Sequence, residues 1–431
     1  MPLPVDRRWR FFLLAILIVG LALRIGAACS LQYLLDHRWH RTFLIEGDAD
    51  GYWQLAQRVA AGETYAIYTP PRYVLRMPGF PALLAVPIVM AGPSLFAARL
   101  MLAVVGAATC WLVYLLGQRV ANERVGTVAA AFAAFSPTLL LFSVEVLSET
   151  AFAATLLIGL ICGQKLFTLL NADELRWPVV AWQALLTGVA VAAGVYMRPS
   201  WLLAGPIVGV LLCGTARRGR HFAGGAAGVL VVLGMVLALL PWGLRNQAVT
   251  GHFTLTTFWM GPSLYDGLNP HATGDSDMRF YDADALMTKM SEYEVDQHYR
   301  GAAWVFARNS PGRTLELAAL KAWRYWKPWP NAEQFRQPAA ILAVCVVFVP
   351  LMVLALMGSW HLFVCSQAGG GGQLRTAIWS VALLAGPIFY FAGLHMIFVS
   401  SLRYRLPAEY PVLVLSAIGL LAWLDRRRPR E

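Results

Sequence analysis

Residues 44–56 read Leu-Ile-Glu-Gly-Asp-Ala-Asp-Gly-Tyr-Trp-Gln-Leu-Ala and place three carboxylates, Glu46, Asp48 and Asp50, at i, i+2 and i+4. Gly47 and Gly51 loosen the backbone between them. From Tyr52 onward, Tyr52, Leu55, Ala56 and Val59 recur at helical spacing until Gly62 supplies a stop. The stretch follows the first long apolar run of the chain. An acidic loop feeding a short amphipathic helix therefore stands at the mouth of whatever the apolar runs build.

Those runs decide the class. The chain has 431 residues, 58% hydrophobic and 14% charged, with mean hydropathy +0.56. A soluble domain carries about 25% charge, and runs long enough to span a bilayer recur throughout. The expected fold is an all-α polytopic membrane protein, a single domain over residues 1–431. The net charge of +11 lies largely in short clusters between apolar runs, as the positive-inside rule requires, so no nucleic-acid partner is expected. Some of it falls in one long polar segment, where it would attract a phosphate-bearing partner. The six cysteines, at 29, 110, 162, 213, 345 and 365, lie in or beside apolar runs with no pair at metal-ligand spacing. They read as small apolar side chains. Arg7, Arg8 and Arg10 before the first run, with Arg24 inside it, favour an uncleaved signal anchor.

Segment lengths and charges predict about ten spans, at roughly 11–29, 96–117, 125–142, 150–170, 179–196, 200–213, 223–243, 338–362, 376–399 and 408–424. Both termini are then cytoplasmic, in the cell (inner) membrane. Residues 30–95 form a first external loop. Within it Phe80 to Ala91 is apolar but too short to span, so it is expected to lie re-entrant or interfacial. Residues 245–337 form a larger external segment with short helices, and the Gly369–Gly372 run reads as a cytoplasmic linker. Arg24 is expected to snorkel or pair. Trp323, Trp326 and Trp329, interleaved with Lys321, Arg324 and Lys327, suggest an aromatic-basic belt at the headgroups or a guide for a lipid phosphate.

This topology gathers acids and arginines on one side. Glu46, Asp48, Asp50, Glu145 and Glu149 share the outer face with Arg76, Arg198, Arg245, Arg403 and Arg405. Several motifs there resemble a family. Gly47-Asp48-Ala49-x-x-Tyr52 is followed by Arg76-x-Pro78-Gly79-Phe80-Pro81, Ser136-Pro137, Ser148-Glu149-Thr150 and Arg198-Pro199. Pro241-Trp242-x-x-Arg245-Asn246, Asn269-Pro270, Asn309-Ser310-Pro311 and Arg403-Tyr404-Arg405-Leu406-Pro407 complete the order. Taken together they resemble the GT-C glycosyltransferases of the protein O-mannosyltransferase and aminoarabinose-transferase type. The resemblance implies a GT-C fold, a polyprenyl-phosphate-linked sugar donor, an inverting reaction outside the membrane and a catalytic aspartate in the first loop. One departure is that the acidic pair is Asp-x-Asp instead of an adjacent Asp-Glu.

The chemistry is consistent with that implication. A phosphate leaves readily, so a sugar bound to it needs no strong general acid, unlike the hydrolases that pair two carboxylates. One carboxylate to take the acceptor's proton and cations to hold the departing phosphate suffice. Asp48 is the expected base, with Asp50 and Glu149 as further catalytic acids. Arg405, Arg403, Tyr404, Arg245, Arg198 and Arg76 are the expected donor-phosphate contacts, because the guanidinium fork donates paired hydrogen bonds to phosphate. No cofactor is expected, although Asp48 and Asp50 together also suit a divalent cation. The acceptor would be a lipid, glycan or protein.

Blander readings compete. Asp48 also suits an N-cap near Asp50, Glu149 a cap of the fourth span, and each arginine a headgroup anchor. His37 and His40 read as loop residues, and Asp275, Asp277, Asp282 and Asp284 as solvated acids. The competing functions are a transporter or flippase of lipid-linked saccharides and a non-catalytic membrane assembly protein. A transporter should carry repeats and mid-membrane polar residues, which are scarce here.

Overall fold

A computed structural model describes residues 7–329, 337–367 and 371–427. Among them the chain is helical, with one isolated antiparallel bridge between Ile67 and Arg72 and no strand. In chain order α1 (Arg7–Leu34) leads through α2 (Asp48–Ala60) and α3 (Gly79–Ala91) to α4 (Leu95–Val120). A broken pair, α5 (Glu123–Phe135) and α6 (Pro137–Phe142), precedes α7 (Glu149–Asn171), α8 (Trp177–Met197), α9 (Ala204–Thr215) and α10 (His221–Thr250). Shorter helices α11 (Met260–Gly267), α12 (Arg279–Asp284), α13 (Glu292–Asn309) and α14 (Pro311–Trp326) follow. The last three are α15 (Pro338–Gln367), α16 (Gly371–Ile397) and α17 (Leu402–Arg427).

Eight of these, α1, α4, α7, α8, α10, α15, α16 and α17, are long and apolar enough to cross a membrane. The chain is a multi-pass membrane protein. Ion pairs mark the two ends of the bundle. Arg198, at the end of α8, meets Glu149 at the start of α7, and Arg403 at the start of α17 meets Asp48. At the opposite end Arg124 pairs with Asp425, and Arg217 with Asp173. Among the described residues the α5–α6 pair and α9 also run from one end of the bundle to the other, but with helices too short to cross unaided. The 12 residues of α9 rise only about 18 Å.

The break between α5 and α6 has a definite cause. Pro137 has no N–H to return to the carbonyl of Ala133 four residues back. Arg24, fully buried on α1, donates to that carbonyl at 3.1 Å and to those of Ala134 and Gly20 at 3.2 and 3.0 Å. Gly106 on α4 makes the room, since a Cβ there would lie 2.9 Å from Nε of Arg24. Of the two expectations for Arg24, snorkelling is corrected and pairing holds: it satisfies helix-end carbonyls inside the bundle.

Elsewhere bare backbones let the spans approach closely. A Cβ on Gly358 of α15 would collide with the carbonyl of Leu415 on α17, and one on Gly419 with that of Leu354. Residues 369 and 370 of the expected linker lie outside the described residues, whereas Gly371 and Gly372 open α16.

Both polar segments emerge at the end that carries Asp48. α3 docks there: a Cβ on Gly79 would strike the carbonyl of Tyr196, two residues before Arg198. The hairpin around the Ile67–Arg72 bridge is clamped from two sides. Glu292, at the start of α13, accepts from the N–H groups of Tyr73 and Val74 at 2.9 and 3.0 Å. Arg245 donates to the carbonyls of Tyr65 and Tyr73 at 2.9 and 2.7 Å. α14 runs along the flank of α16, where the Tyr325 hydroxyl donates to the carbonyl of Ile388. The Lys321 ammonium donates to the carbonyls of Gly267 and Ile397, the last residues of α11 and α16. Three elements are tied by one charge at two negative helix ends.

Candidate active site

The helix carrying the acidic motif starts four residues earlier than its apolar spacing suggests. Gly47 takes φ +77°, a conformation that disfavours a side chain, and α2 begins at Asp48. Asp48 is therefore the first helical residue and makes no cap. Its two oxygens go to two arginines, Oδ1 to Nη2 of Arg76 at 3.0 Å and Oδ2 to Nη2 of Arg403. Nε of Arg403 lies 3.2 Å from Oε1 of Glu149, which also receives Nη2 of Arg198 at 2.5 Å. Nε of Arg198 donates to the Ser148 hydroxyl. The result is an alternating row, Arg76, Asp48, Arg403, Glu149, Arg198, with three cations against two anions.

Local packing sets each member. The Arg76 guanidinium lies directly over Gly51, where a Cβ would come within 2.9 Å of Nε, and stacks on the Tyr52 ring at 4.6 Å. Gly51 thus serves close approach and not loop flexibility. Glu149 is the first residue of α7 but caps nothing; its side chain is 2% exposed, and Oε2 has no hydrogen-bond partner. Burial pushes the Asp48 carboxyl up, but the Arg403 and Arg76 guanidiniums outweigh it and hold the group well below the usual carboxylate range. Glu145, on the turn before α7, is buried with Oε1 unpartnered; burial lifts its carboxyl to about 7 against the pull of Arg99.

The other expected residues divide. Tyr404 lies beside the row, with Arg403 and Arg198 at 5.1 and 5.8 Å from its ring. Arg405 does not: it is 1% exposed, donates to the carbonyls of Tyr325 and Lys327, pairs with Glu409 at 2.6 Å and stacks on Phe348. Arg245 is committed to the hairpin. Asp50 accepts from Gln54 at 2.6 Å, and Glu46 pairs with Arg41 at the surface. Asp275 and Asp277 form ion pairs with Arg324 and Arg279, and Asp284 accepts from the Tyr299 hydroxyl, so these acids are not simply solvated.

Sequence reasoning missed His395. Its ring stacks on Tyr404 with centroids 4.4 Å apart and planes at 5°, and Nδ1 lies 2.7 Å from the Val399 carbonyl oxygen. No spacing pointed to it, because it reaches the row only through the turn between α16 and α17.

The Asp48–Asp50 pair expected to suit a divalent cation is not gathered on one face. Asp48 and Asp50 lie two residues apart on a helix, about 200° around the axis, and both Asp48 oxygens already face guanidiniums. No group of three His, Cys, Asp or Glu side chains among the described residues is placed to hold a metal.

The fold is the GT-C fold. It matches the oligosaccharyltransferase AglB of Archaeoglobus fulgidus, solved with an inhibitory peptide and a dolichol-phosphate, with TM-score 0.58 and 13% identity over 97% of this chain. The apo form of the A. fulgidus oligosaccharyltransferase matches with TM-score 0.59, 15% identity and 96% coverage. The chain spans about half the length of these structures, 51% of each. ArnT from Cupriavidus metallidurans, solved with undecaprenyl phosphate, is similar at TM-score 0.42 and 13% identity, over 97% of this chain and 79% of that one. Residues 75–242 match the family of dolichyl-phosphate-mannose-protein mannosyltransferases. No curated protein sequence matches.

Proposed function

We propose that the chain is an integral membrane glycosyltransferase that moves a sugar from a polyprenyl-phosphate-linked donor to a lipid, glycan or protein acceptor on the outer face. The observation that carries this reading is the alternating row: a carboxylate and an arginine cluster with one cation in excess, at one end of a GT-C bundle. A sugar phosphodiester carries one negative charge and matches that excess.

The acceptor hydroxyl attacks the anomeric carbon from the side opposite the phosphate. The new carbon–oxygen bond forms as the bond to the phosphate oxygen breaks, and configuration inverts. The electron pair leaves on the polyprenyl phosphate, whose growing charge Arg76, Arg403 and Arg198 hold. The hydroxyl proton passes to Asp48. Glu149, shared between Arg403 and Arg198, keeps the two guanidiniums in register. Arg405 and Arg245 support the site from outside, one fixing α14 against α17 and the other fixing the hairpin that leads into Arg76.

Purified protein in liposomes tests this. Supplied with an external polyprenyl-phosphate sugar and envelope extract, it should transfer sugar without moving lipid across the bilayer. Asp48→Asn keeps the size and should lower that rate about 10²–10⁴-fold. Translocation without transfer would replace the reading with a flippase.

A further inference from the structure

A base must have a lone pair to offer, and Asp48 has both oxygens turned to arginines. The same arginines are the ones a phosphate at this place would need. Arg76 and Arg403 each meet Asp48 through Nη2, and Arg403 also turns Nε to Glu149, so neither guanidinium spends its whole fork on Asp48. Asp48 is also reachable, its side chain 34% exposed, whereas Glu149 is 2% exposed. Nothing else restrains the Asp48 carboxylate, since it neither caps α2 nor bonds another side chain.

We propose that Asp48 is a built-in stand-in for the donor's phosphate, occupying Arg76 and Arg403 in the empty protein until the donor displaces it and so frees it as the base. The inference rests on the reading of the site as a phosphate pocket and adds an order of events to it. The acceptor's proton can be taken only after the donor is seated. When it is, the freed carboxylate accepts the hydroxyl proton and becomes a carboxylic acid, while the electron pair of the broken sugar–phosphate bond stays on the phosphate now held by the two arginines. In the empty site Asp48 is held by the two arginines and has no free lone pair with which to activate water or acceptor.

Displacement has a measurable sign. A phosphate that must evict Asp48 should bind better when Asp48 is gone. Undecaprenyl phosphate, titrated into the full chain in nanodiscs, should bind Asp48→Asn about five- to tenfold more tightly than wild type. Asp48→Ala, which keeps a good helix former at the first position of α2, should do the same and guards against a residual amide contact. Removing any nearby negative charge attracts an anion, so Asp50→Asn, on the same helix without an arginine contact, sets the size of that general effect. The Asp48 gain should exceed it and persist near 1 M salt, where the Debye length is about 3 Å. Equal or weaker binding by both Asp48 variants, or a gain no larger than that of Asp50→Asn, would overturn displacement and leave the phosphate pocket standing. Absence of binding by wild type and variants alike would overturn both.

Discussion

A methyl group on Gly51 would lie 2.9 Å from Nε and 3.2 Å from Nη2 of Arg76. The clash falls on the tip of a flexible side chain, so the fold can absorb it, and alanine in a helix interior is favoured over glycine by about 0.5–1 kcal/mol. Gly51→Ala is therefore expected to keep or slightly raise Tm while pushing Arg76 off Asp48, and donor KM should rise about tenfold. Unchanged donor kinetics would show that Arg76 does not serve the site. The two arginines of α17 divide in a similar way. Arg403 and Arg405 are two residues apart on one helix, about 200° around its axis, and only Arg403 faces Asp48. Arg403→Lys should weaken donor use with Tm nearly unchanged. Arg405→Lys should lower Tm, since it gives up part of the bonding to the Tyr325 and Lys327 carbonyls and to Glu409. Thermal melts and donor titrations on both variants check the split. The motif was visible in the sequence, but the choice between the two arginines depended on where α17 begins. The same holds for Asp48 and Asp50, which read as a pair in a loop and part company once α2 starts at Asp48.

Elements show the same limit from another side. Apolar length located the eight long helices well, because it is set by the bilayer and acts over about twenty residues. The run at 200–213 is visibly short, but the sequence does not say that the run before α7 is broken in two, nor what repairs the backbone where α5 stops. Arg24 read as a cost to be explained away, and it is the group that completes α5. Arg24→Met would leave the Ala133 and Ala134 carbonyls buried and unpaired, at about 1–3 kcal/mol each. Expression and detergent-resistant folding should fall sharply, with Arg24→Lys partly restoring them through one or two of the same bonds. Normal stability of Arg24→Met would mean that α5 finds another partner. Lys321 belongs to this class as well, a basic residue that looked like part of a headgroup belt and instead joins the ends of α11 and α16.

For the whole molecule, the ends of the bundle carry different chemistry, and the prediction is one of sidedness. In a cysteine-free background, Asp277→Cys should react with an impermeant reagent added outside intact cells and Arg218→Cys should not. The opposite result would reverse the bundle in the membrane and move the proposed site to the cytoplasmic face. What no local reading supplies is the meeting of distant parts. Asp48 and Arg403 are 355 residues apart in the chain, and only the complete arrangement of α2, the segment before α3, α7, α8 and α17 sets the row.

That separation also fixes a moment in the protein's life. Asp48 is made early, and the arginine that completes its surroundings is made about 355 residues later, roughly 20–70 s at ordinary synthesis rates. Until α17 has entered the membrane, the growing chain exposes an acidic helix with no counterpart for one of its oxygens. On the proposed reading, a fragment released by a ribosome that stalls before α17 should transfer no sugar, because it lacks the arginine that completes the row.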